Sequence, residues 1–263
     1  MTVAIAPAGQ RAFLAVSAVL FAASAAATIT WCGAMSAMDG MAMPGGWTMS
    51  MAWMRMPGQT WPGAAASFLG MWLVMMAAMM LPTLAPALGC YRAAVAGSGA
   101  TRLDRLTALV AGAYFMVWTA LGMAVFPLGV ALAEAAMRLP ALARALPATG
   151  GLVVLAAGAF QFSAWKARQL ACCRQAPCRR LAADAATALR HGVRLGLDCV
   201  RCCAGPTAVL LVLGVMDLRV MAAVTAAISA ERLAPAGARM ARLSGVVAVG
   251  AGLLLLAQGA GVA

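Results

Sequence analysis

The chain has 263 residues, 64% of them apolar and only 10% charged, with a formal net charge of +12. That composition excludes a soluble globular domain of this length, which would need far more polar surface. The basic excess could suit nucleic acid, but in so apolar a chain Lys and Arg collect in cytoplasmic loops, so the expected partner is a lipid bilayer and not nucleic acid. Seven carboxylates and one His leave few general acids or bases, which argues against a hydrolase.

Apolar runs of roughly 20 residues, the length that crosses a bilayer, recur along the whole chain. The expected fold is all-α, a polytopic transmembrane helical bundle of about seven spans. Residues 1–33 form the first span, from Arg11 through the apolar run Ala12 to Trp31. A cleaved signal peptide is the competing reading of that Ala-rich run and would leave six spans.

Residues 34–62 read as an exported loop, and residues 63–263 as a six-helix membrane domain. The stretch from Met35 to Met80 holds 13 of the 20 methionines. In the loop, Met41 and Met43, Met49 and Met51, and Met54 and Met56 form M-x-M pairs. In an extended chain such pairs point to one side and could chelate one ion. Alternatively, the Met and Trp residues form an interfacial cap.

The second span is expected over about 64–90. Met71, Met75 and Met79 recur every four residues on one face, with Met76 and Met80 beside them. Thioether sulfur is a soft, neutral ligand that suits Cu(I); the plainer reading is packing, which Met also serves well. Pro82 and Pro86 are expected to kink the helix below the stripe and expose carbonyls to a cavity. Gly97-Ser-Gly99 marks a turn. The third span is expected over about 106–131, followed by a short loop holding Pro140 and Pro147, and the fourth span over about 149–165.

Segment 166–198 reads as a basic, Cys-containing cytoplasmic loop, with Cys172, Cys173, Cys178 and the single His191. The fifth span, about 196–216, opens on Cys199-Val-Arg-Cys202-Cys203. On a helix the three thiols share one face and could meet one ion. Zinc usually takes four ligands, and Cys172, Cys173 and Cys178 could complete such a set. The same spacing also suits a redox pair or plain packing. Arg201 among them would favour thiolates and needs a partner, for which Asp198 and Glu231 stand at the right depth. The sixth span is about 218–234 and the seventh about 243–261.

Charge orients this layout. Arg11, Arg92, Arg102, Arg105, the seven basic residues of 166–198, and Arg232, Arg239 and Arg242 fall on one side, 14 in all, against Arg55, Arg138, Arg144 and Arg219 on the other. The positive-inside rule then places the N-terminus and the basic segment in the cytoplasm of a bacterial-type inner membrane, and the Met loop outside. Exported thiols tend to oxidise whereas Met cannot form disulfides, so Met outside and Cys inside suits a soft metal on both faces.

Further motifs run through the membrane domain: Trp72, Met75-Met76, Met79-Met80, Pro82 and Pro86; then Gly158, Gln161, Lys166 and Cys173-Arg174; then Gly196, Cys199, Cys202-Cys203, Gly214, Met216 and Glu231-Arg232. This set, over about residues 60–260, resembles the domain of unknown function 2182 family of integral membrane proteins, described as metal-binding and sometimes labelled copper chaperones. Met71, Met75, Met76, Met79, Met80, Cys172, Cys173, Cys199, Cys202 and Cys203, read above as soft donors, are the expected metal site, and the resemblance adds a metal-binding description to it. Gln161, Lys166, Asp198, Arg201 and Glu231 would stand around it. Three positions depart from the family pattern: Gln169 stands for a Cys that Cys172 could replace from next door, Arg201 for a Gly, and Leu195 for a His.

The expected function is binding or moving a soft metal, Cu(I) foremost, with zinc or iron as alternatives. A membrane metalloenzyme, or a subunit of one, and an intramembrane thiol redox protein are the other readings. No catalytic residue stands out.

Overall fold

A computed structural model describes residues 7–37, 40–56, 58–95, 100–174 and 182–261. Eight α-helices dominate the fold: α1 Pro7–Ser36, α2 Trp61–Ala94, α3 Ala100–Arg138, α4 Pro140–Phe160, α5 Ala164–Arg174, α6 Ala185–Leu213, α7 Leu218–Leu233 and α8 Gly237–Gly261. The expected all-α bundle is the one observed. Six of the helices are long and apolar enough to cross a membrane. Helix α7 occupies the expected sixth span, but its 16 residues rise only about 24 Å, short of the roughly 30 Å hydrocarbon layer. It nonetheless links the two ends of the bundle. Met221 near its start meets Cys32 at the end of α1, and Glu231 near its end meets Gln161 at the end of α4.

Several boundaries differ from expectation for local reasons. Pro140 is not in a loop but at the first helical position of α4, where its missing N–H costs nothing and its fixed φ suits the helix. Helix α6 begins eleven residues before the expected span. Asp184 caps it, its carboxylate accepting the Thr187 N–H (2.9 Å) and O–H (2.8 Å), and these bonds hold the Asp184 carboxyl below its ordinary pKa. The basic segment is therefore helical at both ends, in α5 and in the start of α6. Helix α2 runs on through Pro82 and Pro86. Between them Thr83 donates its hydroxyl to Met80 O (3.0 Å). The expected turn at Gly97–Gly99, and Cys178, lie outside the described residues.

Between α1 and α2 the chain folds into a short antiparallel hairpin, β1 Met41–Met43 and β2 Trp47–Met49, with Met41 opposite Met49 and Met43 opposite Trp47. Met43 and Met49 are buried against Ala133, Ala136 and Ala143 of α3 and α4, and Trp47 Nε1 donates to Ala143 O (2.9 Å). Trp53 packs against Phe68 with the rings tilted 37° to each other and lies so close to Gly129 that a Cβ there would collide with its ring. These contacts make the hairpin a cap on the bundle, with two of its methionines spent on packing.

Helix pairs α4–α8, α3–α6 and α1–α2 form the main contacts. Small residues let backbones approach where the core is tightest. Gly192 and Gly196, one turn apart on α6, lie against Val110, Tyr114 O and Val117 of α3, and a Cβ at Gly192 would strike Val110 O. This close seam presses the next turn of α6, and Cys199 with it, onto Tyr114.

Candidate metal centre

The methionine stripe of α2 is buried throughout, with Met71, Met75, Met76, Met79 and Met80 no more than 6% exposed. Helix α6 brings Cys199, Cys202 and Cys203 into the same core, each at most 1% exposed. The thiols lie about halfway along α6 rather than at its mouth, because the helix starts so early. Cys199 is the junction. Its Sγ is 3.8 Å from Met80 Sδ and 3.9 Å from Cys203 Sγ. Two sulfurs on one ion with bonds of ~2.3 Å stand about 3.8–4.0 Å apart at tetrahedral to trigonal angles. Each of these two pairs, sharing Cys199 Sγ, is therefore spaced as two ligands of one soft ion would be.

Among the described residues no group of three or more His, Cys, Asp or Glu side chains is set to hold an ion. The third donor is a thioether, which narrows the choice of metal. Zinc favours thiolate, imidazole and carboxylate, whereas mixed thiolate and thioether donors suit Cu(I).

Two hydrogen-bond donors converge on Cys199 Sγ: Tyr114 O–H (3.0 Å) and Arg232 Nη1 (3.0 Å). Both would stabilise negative charge on that sulfur. Arg232 also donates to Thr83 Oγ1 (3.2 Å), which ties α7 to α2 beside Met80. Arg232, expected among the loop charges, thus reaches into the core from the last turn of α7. Arg201, expected to act on the thiols, is half exposed and pairs with Asp198 at 3.3 Å. Tyr114 and Arg232 are the functional residues that sequence reasoning missed. The pair Glu231-Arg232 was visible, but a charge at a helix end reads as a loop charge.

Glu231 belongs to a second buried group. Lys166 Nζ lies 2.7 Å from Glu231 Oε2, and both side chains are at most 2% exposed. Gln161 Nε2 (2.7 Å) and Ser244 Oγ also donate to Glu231 Oε1. Lys166 donates to Cys202 O (2.7 Å) as well. That carbonyl lacks its helical partner because residue 206, four positions on, is proline. The proline therefore creates the acceptor that fixes Lys166 behind the thiols.

Cys173 of α5 approaches from the other side. It is half-buried, donates to Asp198 O (3.4 Å) and lies within hydrogen-bond reach of Cys202. The bond to Cys202, then burial, raises its pKa well above the ordinary thiol value, so Cys173 keeps its proton at neutral pH. Cys172 is exposed and is not brought to the cluster. Of the residues departing from the family pattern, Gln169 is partly buried on α5, and Leu195 packs against the core. His191 stacks on Tyr91 (5.4 Å between centroids).

Residues 69–255 match the family model PpoB2, copper chaperone. The chain belongs to the PpoB2 copper-chaperone family. The match covers all of the residues just described around Cys199, while Cys32 and the hairpin precede it. Among curated proteins and among solved structures, nothing matches the chain. The copper-chaperone label expected from the motifs agrees with the family.

Proposed function

We propose that this PpoB2-family chain takes up Cu(I) on the exported face of a bacterial-type inner membrane and passes it along the Met75, Met76, Met79 and Met80 thioethers to Cys199 and Cys203. Cys202 and Cys173 continue the thiol cluster toward the cytoplasmic side. The carrying observation is the contact of Met80 Sδ and Cys203 Sγ with the same Cys199 sulfur, at 3.8 and 3.9 Å. A thioether ladder thereby joins a thiol cluster with no hard donor required between them. Thiolates hold Cu(I) more tightly than thioethers, so transfer runs downhill toward Cys199. The N-terminus lies inside, and the hairpin serves as the outer cap.

Copper is the cargo in this reading, and no catalytic residue is needed. The burial of Cys199, Cys202 and Cys203 weighs against a thiol redox protein, since exchange requires attack by an incoming thiolate.

Replacing Met79 and Met80 by Leu keeps volume and apolarity and removes only sulfur. Cu(I) transfer into proteoliposomes should fall sharply while the unfolding midpoint changes little. Transfer at the wild-type rate would leave the stripe as packing and overturn the proposal.

A further inference from the structure

At the outer end of the bundle a second set of sulfurs converges around a small cavity. Cys32 Sγ lies 3.9 Å from Met221 Sδ, across 189 residues of sequence. Beside this pair, Cys32, Met71, Met75 and Met216 line a cavity of about 10 Å³, about the volume one water-sized particle needs. Thr28 lines the same cavity; it is only 7% exposed, and its Oγ1 has no hydrogen-bond partner. A buried hydroxyl left without a partner is costly, and an occupant of the cavity would relieve it.

We propose that Cys32, Met71, Met75, Met216 and Met221 form a separate Cu(I) site, where the ion first loses its water and from which it enters the α2 ladder. This site rests on the copper reading above and extends it with Cys32, Met71, Met216 and Met221, which that reading does not use; Met75 is shared and joins the two. The donor chemistry is one thiolate with neutral thioethers. Binding converts the Cys32 thiol and Cu(I) to a copper thiolate and releases one proton, so the ion and its ligands are together uncharged. A neutral unit of that kind can sit among apolar helices without a counter-cation. The Thr28 hydroxyl offers a weak additional contact or holds a water beside the ion. From Met75 to Met80 the rise along α2 is about 7.5 Å, a distance that Met76 and Met79 bridge.

The test is titration of the full-length protein in detergent with Cu(I), against a chromophoric Cu(I) chelator. The expected result is two ions per chain for the wild type. C32S/M221L should retain one, C199S/C203S should retain the other, and combining the four substitutions should leave none. Should Cys32→Ser fold poorly, M216L/M221L conserves volume and should weaken one of the two sites at least about 10-fold. If C32S/M221L and M216L/M221L both bind two ions with wild-type affinity, the outer site is wrong while the Cys199 centre stands. If instead C199S/C203S changes nothing and C32S/M221L loses one ion, the outer site stands and the Cys199 reading fails. No copper bound by the wild type would overturn both.

Discussion

Around Cys199 a guanidinium and a phenol donate to one sulfur, and a buried lysine–glutamate pair stands behind its neighbour Cys202. Around Cys32 the residues lining the cavity are all neutral, and four of them carry sulfur. The two regions offer the same soft element in different electrostatic settings. A site with one thiolate balances Cu(I) by itself. A site with two or three thiolates is anionic once loaded, and burying that charge requires a nearby cation. Arg232 supplies it at Cys199, whereas Lys166 is already matched by Glu231. A guanidinium reaches the thiols of α6, and none lines the cavity at Cys32.

The largest effect expected from disturbing this arrangement is on folding. Lys166→Met would leave Glu231 charged and buried, and orphan Cys202 O. A loss of about 3–5 kcal/mol is expected, read as a lowered unfolding midpoint in detergent. Adding Glu231→Leu should recover much of it, because replacing a whole buried pair by apolar groups is often nearly neutral. If the single and double variants unfold alike, the pair is not what the inner region depends on.

Arg232→Gln comes next. It keeps a donor near Cys199 but removes the charge, and should weaken Cu(I) binding there about 10–100-fold. Binding at Cys32 should not change, since no guanidinium lines that cavity. Equal weakening at both would erase the distinction between them.

The smallest effect is expected in the cap. Met43→Leu with Met49→Leu keeps the hairpin's apolar contacts, so stability should fall by less than about 1.5 kcal/mol. Cu(I) stoichiometry should hold at the wild-type value in the same titration. A lost ion would return the M-x-M pairs to the list of ligands.

Much of the fold was legible in the sequence, because apolar runs of spanning length and the Met spacing on α2 are local patterns. The early start of α6 was also written there, in Asp184-x-x-Thr187, but Arg190 and Arg194 behind the cap disguise the helix as a basic loop. The prolines were legible as lesions in the helical ladder. Their consequence at Cys202 was not, since it depends on Lys166 arriving from α5. Cys199, Cys202 and Cys203 drew attention by spacing alone, whereas Tyr114 and Arg232 are 85 and 33 residues from Cys199. The outer cluster was the least visible part. Cys32, Met75 and Met221 come from three helices, and no motif joins them.

The central claim is that copper rests on sulfur at the junction of Met80, Cys199 and Cys203. X-ray absorption at the copper edge, on C32S/M221L protein loaded with one equivalent of Cu(I), tests it most directly. The account predicts a Cu(I) edge with two or three sulfur neighbours at about 2.3 Å, one of them lost in Met80→Leu. A first shell of nitrogen or oxygen, or a spectrum unchanged by Cys199→Ser with Cys203→Ser, would contradict it.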